Sequence, residues 1–348
     1  MAVDVIRAVE EMDRIILQAE RETTLALRRY LEEAHRRIQR QLSAQLDPDT
    51  IKALAREGRV FREARARAIL AQLDASLQAL DLGTSTSGGL GIMRDVITLG
   101  QQEGHQQVGL LLERLGDDAA HLALATQVNF AAIEAQVANS AARLTRYGAQ
   151  TVDKINQAVI NGLVEGRGPR RIAYDVRRAV LGDPNAKPLY RRGVDSLGRE
   201  RNLLVQGRGG LAFQAETIAR TELISSLEDA RQSSMREADI TMALWVATPL
   251  DNTCEYCAAR DGHVYKLSDI VLPAHPRCRC ATSPIRREWI EGGLVDLDSV
   301  REHQQQTRDA FREAHGDRKR FATGPTPFEK AQGWTKAPKP AWTTSGGW

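Results

Sequence analysis

Every cysteine of the chain falls in one short stretch, residues 254–280, which reads CEYCAARDGHVYKLSDIVLPAHPRCRC. The pattern is Cys-x2-Cys, twenty residues, then Cys-x-Cys, with His275 three places before Cys278. A Cys-x2-Cys turn lets two thiolates approach one tetrahedral ion, and His275-Pro-Arg-Cys278 offers a second turn of the same spacing. Four soft or borderline donors from two turns suit a structural zinc ion. The expected ligands are Cys254, Cys257, His275 and Cys278, with Cys280 as the substitute. Two alternatives stay open. The four thiols could form two disulfides in oxidising surroundings. The cluster could also do redox or hydrolytic chemistry, for which only Glu255, Asp261 and His263 stand near enough to act as a base.

These residues need elements to hold them. Met242 to Ala247 reads as a short strand, and the Asp261-Gly262 turn followed by His263 to Leu267 predicts a hairpin that brings the two turns together. Ahead of it, Leu211 to Ala238 reads as a helix with Phe213, Ile218, Leu223 or Ile224, and Leu227 on its apolar face. The rest of the chain is helical in pattern. Apolar residues recur at spacings of three and four from Val5 to Leu42, with a change of phase near Thr23 that favours packing within the chain over a coiled coil. Asp47-Pro48 ends that helix and starts the next, to about Leu80. The expected organisation is a helical hairpin over 1–82, a flexible joint over 83–91 (GTSTSGGLG), a helical region over 92–165, a module over 166–290 containing the cysteine cluster, a C-terminal helix over 291–323 and a Pro/Trp-rich extended tail over 324–348. The fold class is mainly α with a small α+β module, its helical N-terminal part elongated. His105 and His121 have no second ligand at a useful spacing and read as surface or core residues.

Composition narrows the functional classes. The 348 residues carry 48 basic and 45 acidic side chains, a net charge of +3, so the whole chain does not announce a nucleic-acid binder. No stretch of eighteen uncharged apolar residues occurs and Asp4, Glu10 and Glu11 stand where a secretory signal would be basic, so a soluble protein made in a cytoplasm, with no membrane partner, is expected. Local charge is uneven. Residues 165–210 hold an excess of six positive charges, and Arg167, Arg170, Arg171, Arg177, Arg178, Arg191 and Arg192 are candidates for non-specific contact with double-stranded DNA; a solvated basic loop is the alternative. In the tail, prolines forbid a long helix while Trp334, Trp342 and Trp348 are candidate anchors for a partner groove.

Several motifs then agree in order. Ile218-Ala-Arg-Thr-Glu222 on a helix, Trp245-x-Ala247-Thr248, Asp251-x-x-Cys254-x-x-Cys257, Asp261-Gly262 and His275-Pro-Arg-Cys278-Arg-Cys280 together resemble the phage Mu F-like head morphogenesis proteins, also called minor capsid proteins, over about residues 156–285. The resemblance implies a low-copy component of a tailed-phage head that associates with the portal protein and other head proteins, enters the assembling procapsid from the host cytoplasm, resides in the virion and in some members contacts DNA. It implies no enzymatic activity. Arg220 and Glu222, about 200° apart on their helix, together with Trp245 and Asp251, take structural roles in this reading, Arg220 or Glu222 pinning the helix to the cysteine module by a buried pair. The reading from another class is a metal-dependent nuclease or hydrolase acting on phage or host DNA. The oligomeric state is not legible.

Overall fold

In the computed structural model, the described residues are 2–84, 88–116, 130–183, 189–194, 200–206, 210–249, 253–276, 278–316, 320–322, 324–326, 329–330, 333 and 335–343. The helices are α1 (Val5–Gln45), α2 (Pro48–Arg56), α3 (Arg59–Gln78), α4 (Gly89–Arg114), α5 (Phe130–Val164), α6 (Pro169–Leu181), α7 (Leu211–Glu237), α8 (Glu255–Arg260), α9 (Arg287–Glu291) and α10 (Leu297–His315). The strands are β1 (Leu189–Val194), β2 (Glu200–Gln206), β3 (Met242–Val246), β4 (His263–Lys266), β5 (Ala281–Ile285) and β6 (Trp342–Thr343). The chain is thus mainly α with a small α+β module, as its patterns predict. No helix among the described residues is long and apolar enough to cross a membrane.

Two units emerge, each assembled from separated stretches of sequence. One comprises residues 1–21, 95–136 and 220–348; the other comprises 22–94 and 137–219. The change of phase near Thr23 marks this division on α1. Val5, Val9 and Ile16 are buried with the first unit's residues, whereas Leu27, Leu31 and Ile38 join the second unit's core.

The second unit is helical apart from an antiparallel pairing of β1 with β2, which the charged, interrupted sequence of residues 189–206 did not reveal. Asp47 caps α2 as expected, its Oδ1 accepting from the backbone N–H of Asp49 (2.9 Å) and Thr50 (3.0 Å). The helix expected to continue to Leu80 breaks between Arg56 and Arg59, where Gly58 takes an extended conformation ahead of α3. Around the expected joint, Gly83 is buried so closely that a Cβ there would lie 2.3 Å from the Ala141 carbonyl, and Gly89 already opens α4. Small residues here serve close packing; residues 85–87 of the joint lie outside the described residues.

The first unit holds the cysteines. Its sheet is antiparallel in the order β5-β3-β4-β6, with β3 central among the longer strands. Trp245 on β3 is buried and meets Tyr265 of β4 edge-on at 6.2 Å. Helix α7 packs beside α4, where Gly100 and Gly104 let the backbones approach. A Cβ on Gly104 would stand 2.4 Å from the Leu227 carbonyl and 2.6 Å from Ala230 Cβ. Ser226 Oγ donates to the Ile97 carbonyl (2.5 Å), Gln101 Nε2 donates to the Ser226 carbonyl (3.1 Å), and His105 Nδ1 lies 2.6 Å from Ser234 Oγ. His105 is accordingly a core residue; His121 lies outside the described residues. Phe213, expected on the apolar face of α7, is only half-buried. Val3 bridges Val295, and Ser299 Oγ donates to Asp4 Oδ1 (2.6 Å), so the start of the chain is held against α10.

Candidate metal centre

The central strand positions the cluster. Chain leaving β3 runs through Thr248 toward Cys254, which caps α8. Chain entering β5 passes through Cys278 and Cys280, with Ala281 paired to Val246 of β3. Thr248 Oγ1 donates to the Arg279 carbonyl at 2.8 Å, tying the two approaches together. Both expected turns form. The Cys257 backbone N–H donates to Cys254 Sγ at 3.5 Å, and the Cys278 N–H donates to the His275 carbonyl at 3.1 Å.

The donor atoms of Cys254, Cys257 and His275 lie within 4.8 Å of one another, and so do those of Cys257, Cys278 and Cys280, making Cys257 common to both groups. Cys257 Sγ stands 3.4 Å from His275 Nε2 and 4.0 Å from Cys278 Sγ. Ligands around one tetrahedral zinc, with bonds of about 2.3 Å to sulfur and 2.0 Å to nitrogen, are about 3.5–3.8 Å apart. The residues therefore fit a metal ion. The thiols are free, and 4.0 Å between Cys257 and Cys278 is about twice the length of a disulfide bond. Cys280, expected only as a substitute, lies with Cys278 in the cluster, as residues two apart in extended backbone share a side.

Hydrogen bonding and charge agree with the spacing. His275 Nδ1 is 2.9 Å from the Pro276 carbonyl, an acceptor only, so Nδ1 carries the hydrogen and Nε2 is turned to the sulfurs. The hydrogen bond from Cys257 holds the Cys254 thiol down at about 5, assisted against burial by His275. Cys278 is likewise held well below the usual thiol range, first by its bond with Cys257 and then by Cys280. Cys257 is pushed up by its bond to Cys254, and Cys280 is pushed up by burial. Burial alone would lower His275, yet its bonds with Cys254 and Cys278 raise it to about 11. Cys257, Cys278 and Cys280 are each no more than 4% exposed, and their sulfurs gather with Cys254 and His275 where a metal ion would take thiols as thiolates.

Residues 153–283 match the family model described as Phage Mu protein F like protein. Over these residues the chain is similar to the phage Mu F-like proteins. No curated protein and no solved structure matches the chain. The matched segment takes in α6, β1, β2, α7, β3, α8, β4 and all five donors.

Within that segment Arg220 is buried and pairs with Glu20 (3.1 Å), whose other oxygen meets Arg279 at 3.4 Å. Arg220 thus reaches the loop between Cys278 and Cys280 through a carboxylate that the motifs do not contain. Glu222 is buried. A second pin joins α7 to the sheet: Glu228 accepts from Thr282 N–H (3.2 Å) and Oγ1 (2.7 Å) and pairs with Arg231, which also binds Gln107. Polar residues inside an otherwise ordinary helix pattern gave no signal of this network. Asp261, a candidate base of the nuclease reading, spends its Oδ1 on the Ala247 N–H (2.7 Å) and is fully buried. Nothing in the geometry favours that reading.

The arginines proposed for DNA divide. Arg167 pairs with Glu165 (2.7 Å) and Asp175 (3.1 Å), and Arg171 also faces Asp175 (3.7 Å). Arg171 and Arg178 flank the Tyr174 ring. Arg170 and Arg177 are exposed on α6. Arg191 and Arg192 lie on β1. Asp251, Trp334 and Trp348 lie outside the described residues. Trp342 belongs to β6, so the tail is not merely an arm for a partner: its backbone extends the sheet beside β4.

Proposed function

We propose that the chain is a minor head protein of a tailed bacteriophage, joining the portal and other head proteins during procapsid assembly and remaining in the virion. The observation that carries this reading is the match of residues 153–283 to the Phage Mu protein F like family, in a segment that contains five clustered metal donors. Its mechanism is binding rather than turnover. Cys254, Cys257, His275 and Cys278 hold zinc in this proposal, and Cys280 supports the site through its proximity to Cys257 and Cys278. Bound zinc would take these thiols as thiolates and would clasp the approaches to β3 and β5 into one stiff module. Contact with double-stranded DNA, if made, goes through the exposed Arg170 and Arg177 of α6.

Mass spectrometry of purified virions, with elemental analysis of the isolated full chain, tests both parts. The expected result is the protein in the particle and one zinc per chain, lost in Cys257→Ser because that thiol belongs to both donor groups. A chain absent from particles defeats the head reading, and a folded metal-free chain defeats the zinc reading.

A further inference from the structure

Helix α8 has six residues, too few to persist alone, and carries Cys257 on one side and Arg260 at its end. The C-terminal segment grips this helix. The Ala322 N–H donates to the Glu255 carbonyl at 3.1 Å, and Arg260 donates to the Gly324 carbonyl (3.3 Å) and to Glu329 Oε2 (3.0 Å). Thr326 and Glu329 form a reciprocal cap, with the Thr326 N–H bound to Glu329 Oε2 (2.5 Å) and the Glu329 N–H bound to Thr326 Oγ1 (3.2 Å). Both are fully buried, and Lys330 stands over the Tyr256 ring at 5.9 Å. Farther along, the Ala341 N–H donates to the Val264 carbonyl (2.8 Å), and β6 pairs with β4.

We propose that the described residues between Ala322 and Thr343 act as a peptide ligand bound in cis by the α8–β4 face, and that this docking and metal binding at Cys254 and Cys257 strengthen each other. The coupling rests on the metal reading above. Metal fixes the N-terminal end of α8 and the tail fixes its C-terminal end, so each partner meets a helix already ordered by the other. Linkage makes the effect reciprocal. The occupant is specific: a segment carrying Thr326 and Glu329, whose carboxylate completes the buried Arg260 beside the Trp245 ring (5.7 Å).

The test uses the full chain. Zinc affinity is measured by competition with a chromophoric chelator for the wild type, Glu329→Gln, and Ser299→Ala, which removes a hydrogen bond to Asp4 in the same unit and none to the tail. Glu329→Gln is expected to weaken zinc about tenfold while Ser299→Ala leaves it unchanged; equal affinity in Glu329→Gln, or equal weakening by both, overturns the coupling. Should Glu329→Gln fail to fold, hydrogen exchange of the wild type decides: removing zinc must accelerate exchange at the Ala322, Lys330 and Ala341 amides, and unchanged protection overturns the proposal. A wild-type chain that takes up no zinc ends both the metal reading and this one, whereas bound zinc with an indifferent tail ends the coupling alone.

Discussion

Glu228 has no exposure to water and Arg231 almost none, so the worth of each depends on the other. Burial pushes the Glu228 carboxyl up, and Arg231 and Thr282 pull it back toward the charged form. Arg231→Ala removes the cation and leaves a buried carboxylate beside Thr282. The expected cost is about 3–5 kcal/mol in a urea titration, whereas replacing both members by apolar residues of similar volume is expected to cost less. Histidines give the unit a pH dependence of known sign. Burial lowers His105 below its ordinary 6.5, and does the same to His263. A base with a depressed folded value binds its proton more readily when unfolded, so stability is complete above about 6.5 and declines as the pH falls toward the folded value. Each such histidine contributes at most about 1.4 kcal/mol per pH unit. Asp229, raised to about 6 chiefly by burial, acts in the opposite sense, so the test is a comparison: from pH 7 to 5 the denaturation midpoint of His105→Gln should fall less than that of the wild type.

At the scale of elements, the contact of α4 with α7 depends on two missing side chains. Gly104→Val places its Cβ inside contact distance of the Leu227 carbonyl and Ala230, and a loss of about 1–3 kcal/mol is expected from denaturant unfolding. The glycines at 100 and 104 argued against a helix by propensity, and only the neighbouring helix explains them. Most helices were legible because their apolar periods are regular: α1 and α7 begin and end within a few residues of where spacing and caps put them, and α10 lies inside the span expected for it. The two turns around the cysteines were legible for the same local reason. What spacing could not disclose is long-range partnership. Glu20 reaches Arg220 and Arg279, and Glu329 reaches Arg260, across separations on which local sequence bears no mark. The Thr326-x-x-Glu329 cap was visible in principle, but prolines on either side made the tail read as extended throughout.

For the whole molecule, charge sets what the protein can do with nucleic acid. With a net +3, and with Arg167 and Arg171 already facing Asp175, the chain offers few uncommitted cations on α6. Any affinity for double-stranded DNA is expected to be sequence-independent and to fall steeply with salt. Arg170→Ala with Arg177→Ala should shallow the plot of log affinity against log salt by about 2, since each phosphate contact contributes about 0.9. Filter binding over a salt series measures it, and an unchanged slope removes α6 from the contact. The interleaved make-up of the first unit also sets a timetable. Val5, Val9, Val295 and Val300 share one core, yet at about 5–20 residues per second the ribosome delivers the second pair on the order of tens of seconds after the first. Until then the opening turns of α1 have no finished core to enter, so this unit matures only late in translation, and a cell making the protein must shield that apolar edge in the interval.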